Sequence, residues 1–184
     1  ALWLSPRWRP GRATRQADFP ARFQLIAAMN PCPCGYLGSV LRPCRCSADT
    51  VARYQARISG PLLDRIDLRI EVPAVDAATL ASAPDGETSA VIAARVAAAR
   101  TRADLRQGCT NAELAGDALD RHAALDAAAL AFLQNSAQRL GWSARSFHRV
   151  LRSARTIADL AGSSAVQLSH IAEAIQYRRL LAPT

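Results

Sequence analysis

The sequence predicts a piece of parallel α/β sheet followed by a small all-α bundle, with helix predominating overall. Three observations carry that reading. Residues 23–30, "FQLIAAMN", form a short unbroken apolar run after Pro20, the pattern of a strand covered on both faces. Leu68, Ile70 and Val72 alternate with Arg69 and Glu71, the period of a half-buried strand. Beyond Pro84-Asp85-Gly86, apolar residues recur at helical spacing through four long segments.

Each element has its own local justification. Residues 1–12 are rich in Trp, Arg and Pro with neither a two-residue nor a 3.6-residue period, so 1–11 read as a ragged start. The run at 23–30 leads into "NPCPCGYLGSVLRPCRC", which holds four of the five cysteines. "SADTVARYQARIS" then reads as a helix with Ser47 or Asp49 as its N-cap. Gly60-Pro61 turns the chain into the alternating strand. Residues 74–89 have the composition of a linker.

The four helical segments follow. "ETSAVIAARVAAARTRADLR" is alanine-rich and stops at Gly108, and "LDAAALAFLQNSAQRLG" is the second. The third, "SARSFHRVLRSARTIADLAG", starts at the N-cap Ser143 and ends at Gly162. Its expected core stripe is Ala144, Phe147, Val150, Leu151, Ala154 and Ile157, with Arg145, Arg149 and Arg152 on the opposite side. "LSHIAEAIQYRRLL" is the fourth, with Ser169 as the expected cap.

Composition removes several classes of function. Half of the 184 residues are hydrophobic, enough for a packed core. No apolar run approaches the length of a membrane span, and the arginines in "ALWLSPRWRP" interrupt what a signal peptide would need. A reducing cytoplasm is therefore the expected compartment, where clustered cysteines more often bind metal than form disulfides. All 23 basic residues are arginine, so a P-loop, whose lysine reaches the β- and γ-phosphates, is excluded within the chain. Residues 1–60 carry nine arginines against Asp18 and Asp49, a balance of +7 out of the total of +8. That basic third is either a nucleic-acid contact or a solvated surface. His122, His148 and His170 lack ligand spacing, and no Ser/His/Asp set or catalytic carboxylate pair is evident. Cys109 stands apart from the cluster and reads as a small buried residue.

The cysteines are paired as Cys32-x-Cys34 and Cys44-x-Cys46. Four thiolates suit one tetrahedral zinc, with Arg42 and Arg45 placed to offset the excess negative charge. A disulfide or redox pair and an inert loop are the competing readings. Asn30 stands where the apolar run ends, the place open α/β sheets reserve for ligands; it is equally the opener of an Asn-Pro turn.

At "FPARFQLIAAMNPCPCG", "RISGPLLDRIDLRIEVP", "SARSFHRVLRSARTIADLAG" and "HIAEAIQYRRL" the sequence resembles the magnesium-chelatase-like AAA+ ATPases, in particular the ComM (YifB-type) competence branch. The resemblance spans roughly residues 12–181 and corresponds to the C-terminal part of such a protein. It implies an α/β portion of an AAA+ core over 12–73 and a helical lid over 90–184. The Walker A and Walker B blocks, which hold the phosphates and Mg²⁺ of ATP, are expected upstream of residue 1, so the chain by itself should not turn over ATP. By resemblance Asn30 is sensor 1, Arg65 in "GPLLDRIDL" the arginine finger and Arg145 sensor 2. A finger neutralises charge on the γ-phosphate from across a subunit boundary; an ion pair with Asp64 or Asp67 is its alternative role. The family implies a homo-oligomeric, hexameric ring, acting in the ComM branch on DNA during branch migration. Two alternatives remain: a chelatase motor subunit, and a zinc-stabilised basic module that binds nucleic acid without a motor role.

Overall fold

The computed structural model describes residues 7–8, 19–20, 23–73, 75, 81–82 and 86–179. Helices dominate. Arg7–Trp8 (β1) pairs antiparallel with Phe19–Pro20 (β2), Arg7 opposite Pro20 and Trp8 opposite Phe19. Among the described residues, helices of four or more residues are α1 (Ala48–Gln55), α2 (Gly60–Leu63), α3 (Ser89–Gln107), α4 (Gly116–His122), α5 (Ala127–Arg139), α6 (Ala144–Leu160) and α7 (Leu168–Arg179). A 3₁₀ turn spans Asn111–Glu113.

The caps follow the sequence closely. Ser47 accepts from the Thr50 amide and so starts α1, leaving Asp49 in the first turn. Thr88, Asp126 and Ser143 cap α3, α5 and α6 in the same way. Gly108 closes α3 with φ +71° and donates its amide to Asp104 O, a backbone state that side-chain-bearing residues resist. Helix α7 starts differently from expectation. Ser169 lies inside it, and the entry is closed by a reciprocal pair: Gln167 N–H donates to His170 Nδ1 at 3.0 Å while His170 N–H donates to Gln167 O. His170 thus takes the place of the Glu of a capping box.

Helix α6 lies at the centre of the bundle. Val150, Leu151, Ala154 and Ala158 face Leu114, Leu119 of α4, Leu133 of α5 and Ile171, Ala174 and Ile175 of α7. Phe147 and Ile157 pack at the margin as expected, and Cys109 is half-buried beside the same core. Ala144 is exposed, and the stripe instead takes in Ser146, Arg155 and Asp159. An α-helix repeats every 3.6 residues, so a strip continued from Val150 through Phe147 and Leu151 drifts off Ala144 at its first turn.

Neither expected strand is present. Residues 23–30 and 66–73 have no regular secondary structure, with Phe23 65%, Ile26 86% and Ile70 68% exposed. A continuous apolar run becomes a strand when neighbours take its amides and layers cover both faces. Among the described residues nothing pairs with 23–30. From 66–73 the Arg69 amide donates to Tyr177 O at 2.8 Å, on helix α7 and not on a neighbouring strand. Most of the 74–89 linker lies outside the described residues. No described helix is long and apolar enough to cross a membrane.

Candidate functional site

The cysteine loop is built by turns and tied to the helix that follows it. Gly35, at φ +81°, donates to Cys32 O at 3.0 Å, and a Cβ at this position would meet the Asn30 amide group at 3.8 Å. Ser39 N–H closes a second turn on Tyr36 O. The loop ends at Cys46, next to the Ser47 cap, and Gln55 Nε2 of α1 returns to Pro31 O at 3.1 Å. This brings all four sulfurs within 4.8 Å of one another. The edges Cys32–Cys34, Cys34–Cys44 and Cys32–Cys44 measure 3.4, 3.6 and 3.7 Å. Thiolates at ~2.3 Å from one tetrahedral ion would stand ~3.8 Å apart, and a disulfide would need ~2.05 Å. All four cysteines are free, with Cys32 fully buried. The sulfur geometry therefore fits a tetrahedral metal and not a disulfide.

The surroundings of the sulfurs favour thiolate at Cys32 and Cys34 and oppose it at Cys44 and Cys46. Backbone N–H groups of Arg45 and Tyr36 point at the Cys34 sulfur and bring its thiol down to about 6. At Cys44 the Cys46 amide acts in the same sense, but burial and the neighbouring sulfurs outweigh it and push this thiol up to about 12. One sulfur readily ionised beside one that resists is what crowded like charges produce without a cation. Arg45 thus contributes through its backbone. Arg42 lies over the Tyr36 ring at 5.0 Å and donates to its hydroxyl at 3.2 Å.

A second constellation joins residues 59–69 to the bundle. Ser146 Oγ of α6 donates a short hydrogen bond to Asp64 Oδ1, and Arg178 Nη2 of α7 reaches the same carboxylate at 3.2 Å. Arg149 Nη1 donates to Arg65 O at 2.6 Å and to Asp67 Oδ1. Arg178 also approaches the carbonyls of Asp64 and Ile66, and Arg69 Nη2 closes on Leu63 O at 2.9 Å. Burial lowers the Arg178 guanidinium from its ordinary value, and Asp64 opposes that shift. A cavity of about 380 Å³ lies along this seam, bordered by Leu63, Asp64, Trp142, Ser143 and Arg178.

The expected site residues fall in two groups. Arg65 sits in the docked loop, half-buried, its Nη1 donating to Pro61 O at 2.8 Å. Arg145 is exposed in the first turn of α6, the helix to which that loop is docked. Asn30 lies apart from both, exposed at the mouth of the cysteine loop. Arg149 and Arg152 do not share a solvated face. Arg149 grips residues 65–67, and Arg152 Nε donates to Leu114 O at 2.7 Å.

Sequence reasoning missed a buried ionic network. Asp159, 1% exposed, accepts from Arg106 at 2.6 and 3.0 Å, Asn111 at 2.7 Å and Arg155 at 2.9 Å. It ties α3 and the 3₁₀ turn to α6. Its signal was available: Arg155 and Asp159 lie four residues apart, on the same helix face as Leu151 and Ala158.

A helical bundle, a loop at 59–69 docked on it and a four-cysteine cluster define the class. Family comparison gives it a name. Residues 86–178 match the family described as magnesium chelatase, subunit ChlI C-terminal, and residues 9–80 match magnesium chelatase, subunit ChlI. The chain belongs to the magnesium chelatase subunit ChlI family. It is 42% identical over 171 residues to competence protein ComM of Haemophilus influenzae, and 40% over 171 residues to the uncharacterized protein YifB of Salmonella typhimurium. An uncharacterized protein of Mycobacterium tuberculosis is 40% identical over 175 residues. These matches cover 92%, 92% and 93% of the chain. They cover 33%, 33% and 34% of the relatives, so the chain spans about a third of their length.

Proposed function

We propose that this chain supplies the interface-completing part of an AAA+ ring ATPase that acts on DNA. Residues 12–73 belong to its α/β core, 74–89 form a linker and 90–184 form the lid. In that setting residues 23–30 and 66–73 become parallel strands, since neighbouring strands would take their amides and cover their apolar side chains. The observation that carries the reading is the docking of residues 59–69 on α6 and α7. The loop's two aspartates are engaged by Arg178 and Arg149, and the half-buried Arg65 donates to the Pro61 carbonyl. A guanidinium on a braced loop can meet the γ-phosphate of a nucleotide bound to the adjacent subunit, where growing negative charge is neutralised. Asn30 and Arg145 read the nucleotide as sensors 1 and 2. Mg²⁺ accompanies ATP and is held by groups other than these.

Zinc fits Cys32, Cys34, Cys44 and Cys46, where it would cross-link a loop with little apolar core of its own. The 42% identity to a protein named for competence favours work on DNA over a chelatase motor. Replacing the matched third of the Haemophilus relative with this chain gives a testable ring. There Arg65→Ala should preserve ATP binding and lower turnover about 10³-fold. Loss of nucleotide binding with normal assembly would show that Arg65 is structural.

A further inference from the structure

We infer that Arg149, supported by Ser146 and Arg178, is a positioning residue for Arg65, so that helix α6 mechanically links the nucleotide-facing Arg145 to the finger. The inference rests on the proposed roles of Arg65 and Arg145 and extends them to residues of α6 and α7 outside those roles.

The argument starts from backbone groups. Arg65 is useful as a finger only if its Cα is fixed, because a flexible four-bond side chain on a wandering loop samples many wrong positions. Three consecutive carbonyls, those of Asp64, Arg65 and Ile66, receive guanidinium donors from the bundle. The shortest of these contacts is Arg149 Nη1 to Arg65 O, at 2.6 Å. The flanking carboxylates are held as well, Asp64 by Ser146 and Arg178 and Asp67 by Arg149. The Arg69 amide adds a backbone bond to Tyr177 O at 2.8 Å. Arg65 is therefore braced from both sides by residues on two helices.

The geometry also explains why the brace lies on α6. Arg145, Ser146 and Arg149 occupy its first turns, so a movement of Arg145 toward a phosphate carries Ser146 and Arg149 with it. A helix transmits that shift as a rigid element. Arg149 is mostly buried at 19% side-chain exposure, whereas its partner Asp67 is 56% exposed. Such a one-sided burial suits a group whose task is to grip a loop that arrives at the surface of the bundle.

The test uses the chimeric ring described above together with this chain alone. In the chain, Arg149→Gln should speed amide exchange at residues 64–67 while the helical signal and melting stay close to those of the parent. In the ring it should lower kcat about tenfold or more and leave nucleotide affinity and KM within twofold. In single-turnover measurements the decisive comparison is with Arg65→Ala. If Arg149 acts through Arg65, adding Arg149→Gln to Arg65→Ala should change the residual rate by less than twofold. Arg149→Lys, which keeps one donor and the charge, should recover part of the turnover. Ser146→Ala is the milder variant, removing one hydrogen bond to Asp64, and should lower kcat about threefold. Equal losses from Arg149→Gln with and without Arg65 would overturn the inference, as would full turnover in both Arg149→Gln and Ser146→Ala. If Arg65→Ala itself leaves turnover unchanged, the proposed finger falls, which is a separate result.

Discussion

Asp159→Asn should destabilise the helical bundle severely, and the structure sets the size of the effect. The substitution preserves shape and removes the carboxylate that faces Arg106, Arg155 and the Asn111 amide. Arg155 is 1% exposed, so its charge stays buried after its partner is lost. Breaking a buried ion pair from one side costs ~3–5 kcal/mol. Arg155 retains hydrogen bonds to the carbonyls of Ser163 at 2.6 Å and Ser164 at 2.9 Å, which places the expected loss at the lower end, ~3 kcal/mol. For a unit the size of residues 86–178 that corresponds to a fall in Tm of ~12–24 °C. Thermal and urea melts of the chain, followed by helical circular dichroism, measure it directly. Acid titration adds a second readout. Burial alone would raise the Asp159 pKa, but the donors from Arg106, Asn111 and Arg155 more than reverse this and hold it below the usual carboxylate value. A depressed folded pKa contributes stability above the unfolded pKa of ~3.9, and that contribution is lost as pH falls through the lower folded value. The parent should therefore lose more stability on acidification below about pH 4 than Asp159→Asn does. A fall in Tm under ~4 °C, or identical acid limbs, would refute the reasoning.

Further outcomes test the proposed metal centre and the core. Chain purified under reducing conditions with zinc available should contain close to one zinc per molecule, and Cys44→Ser should lower it. Chelation should speed amide exchange over 31–47 and leave α3 through α7 nearly unchanged, since the bundle buries its own core. A metal-free preparation with an equally ordered loop would remove zinc from the account. Leu133→Ala, at a fully buried position of α5, should cost ~2–5 kcal/mol in urea melts. The 92%-exposed Val40 replaced by Ser should stay within about 0.5 kcal/mol.

Local chemistry was legible in the sequence. Ser47 and Ser143 cap helices because each can accept an amide proton three residues on, an interaction that needs no distant partner. Gly108 ends α3 for an equally local reason. The four cysteines, within fifteen residues, were already close enough along the chain for short turns to gather them. What the sequence could not show depended on partners far away in the chain. Apolar runs at 23–30 and 66–73 have strand patterns, but a strand exists only through hydrogen bonds to neighbouring strands, and no strand pairs with either run among the described residues. Arg149 and Arg152 fall opposite the expected apolar stripe, and nothing nearby in sequence reveals that residues 65–67 and Leu114 come to rest against them. The Asp159 network likewise joins residues 106, 111 and 159 across more than 45 positions. Burial of those charges becomes favourable only once packing has brought the donors and the carboxylate together.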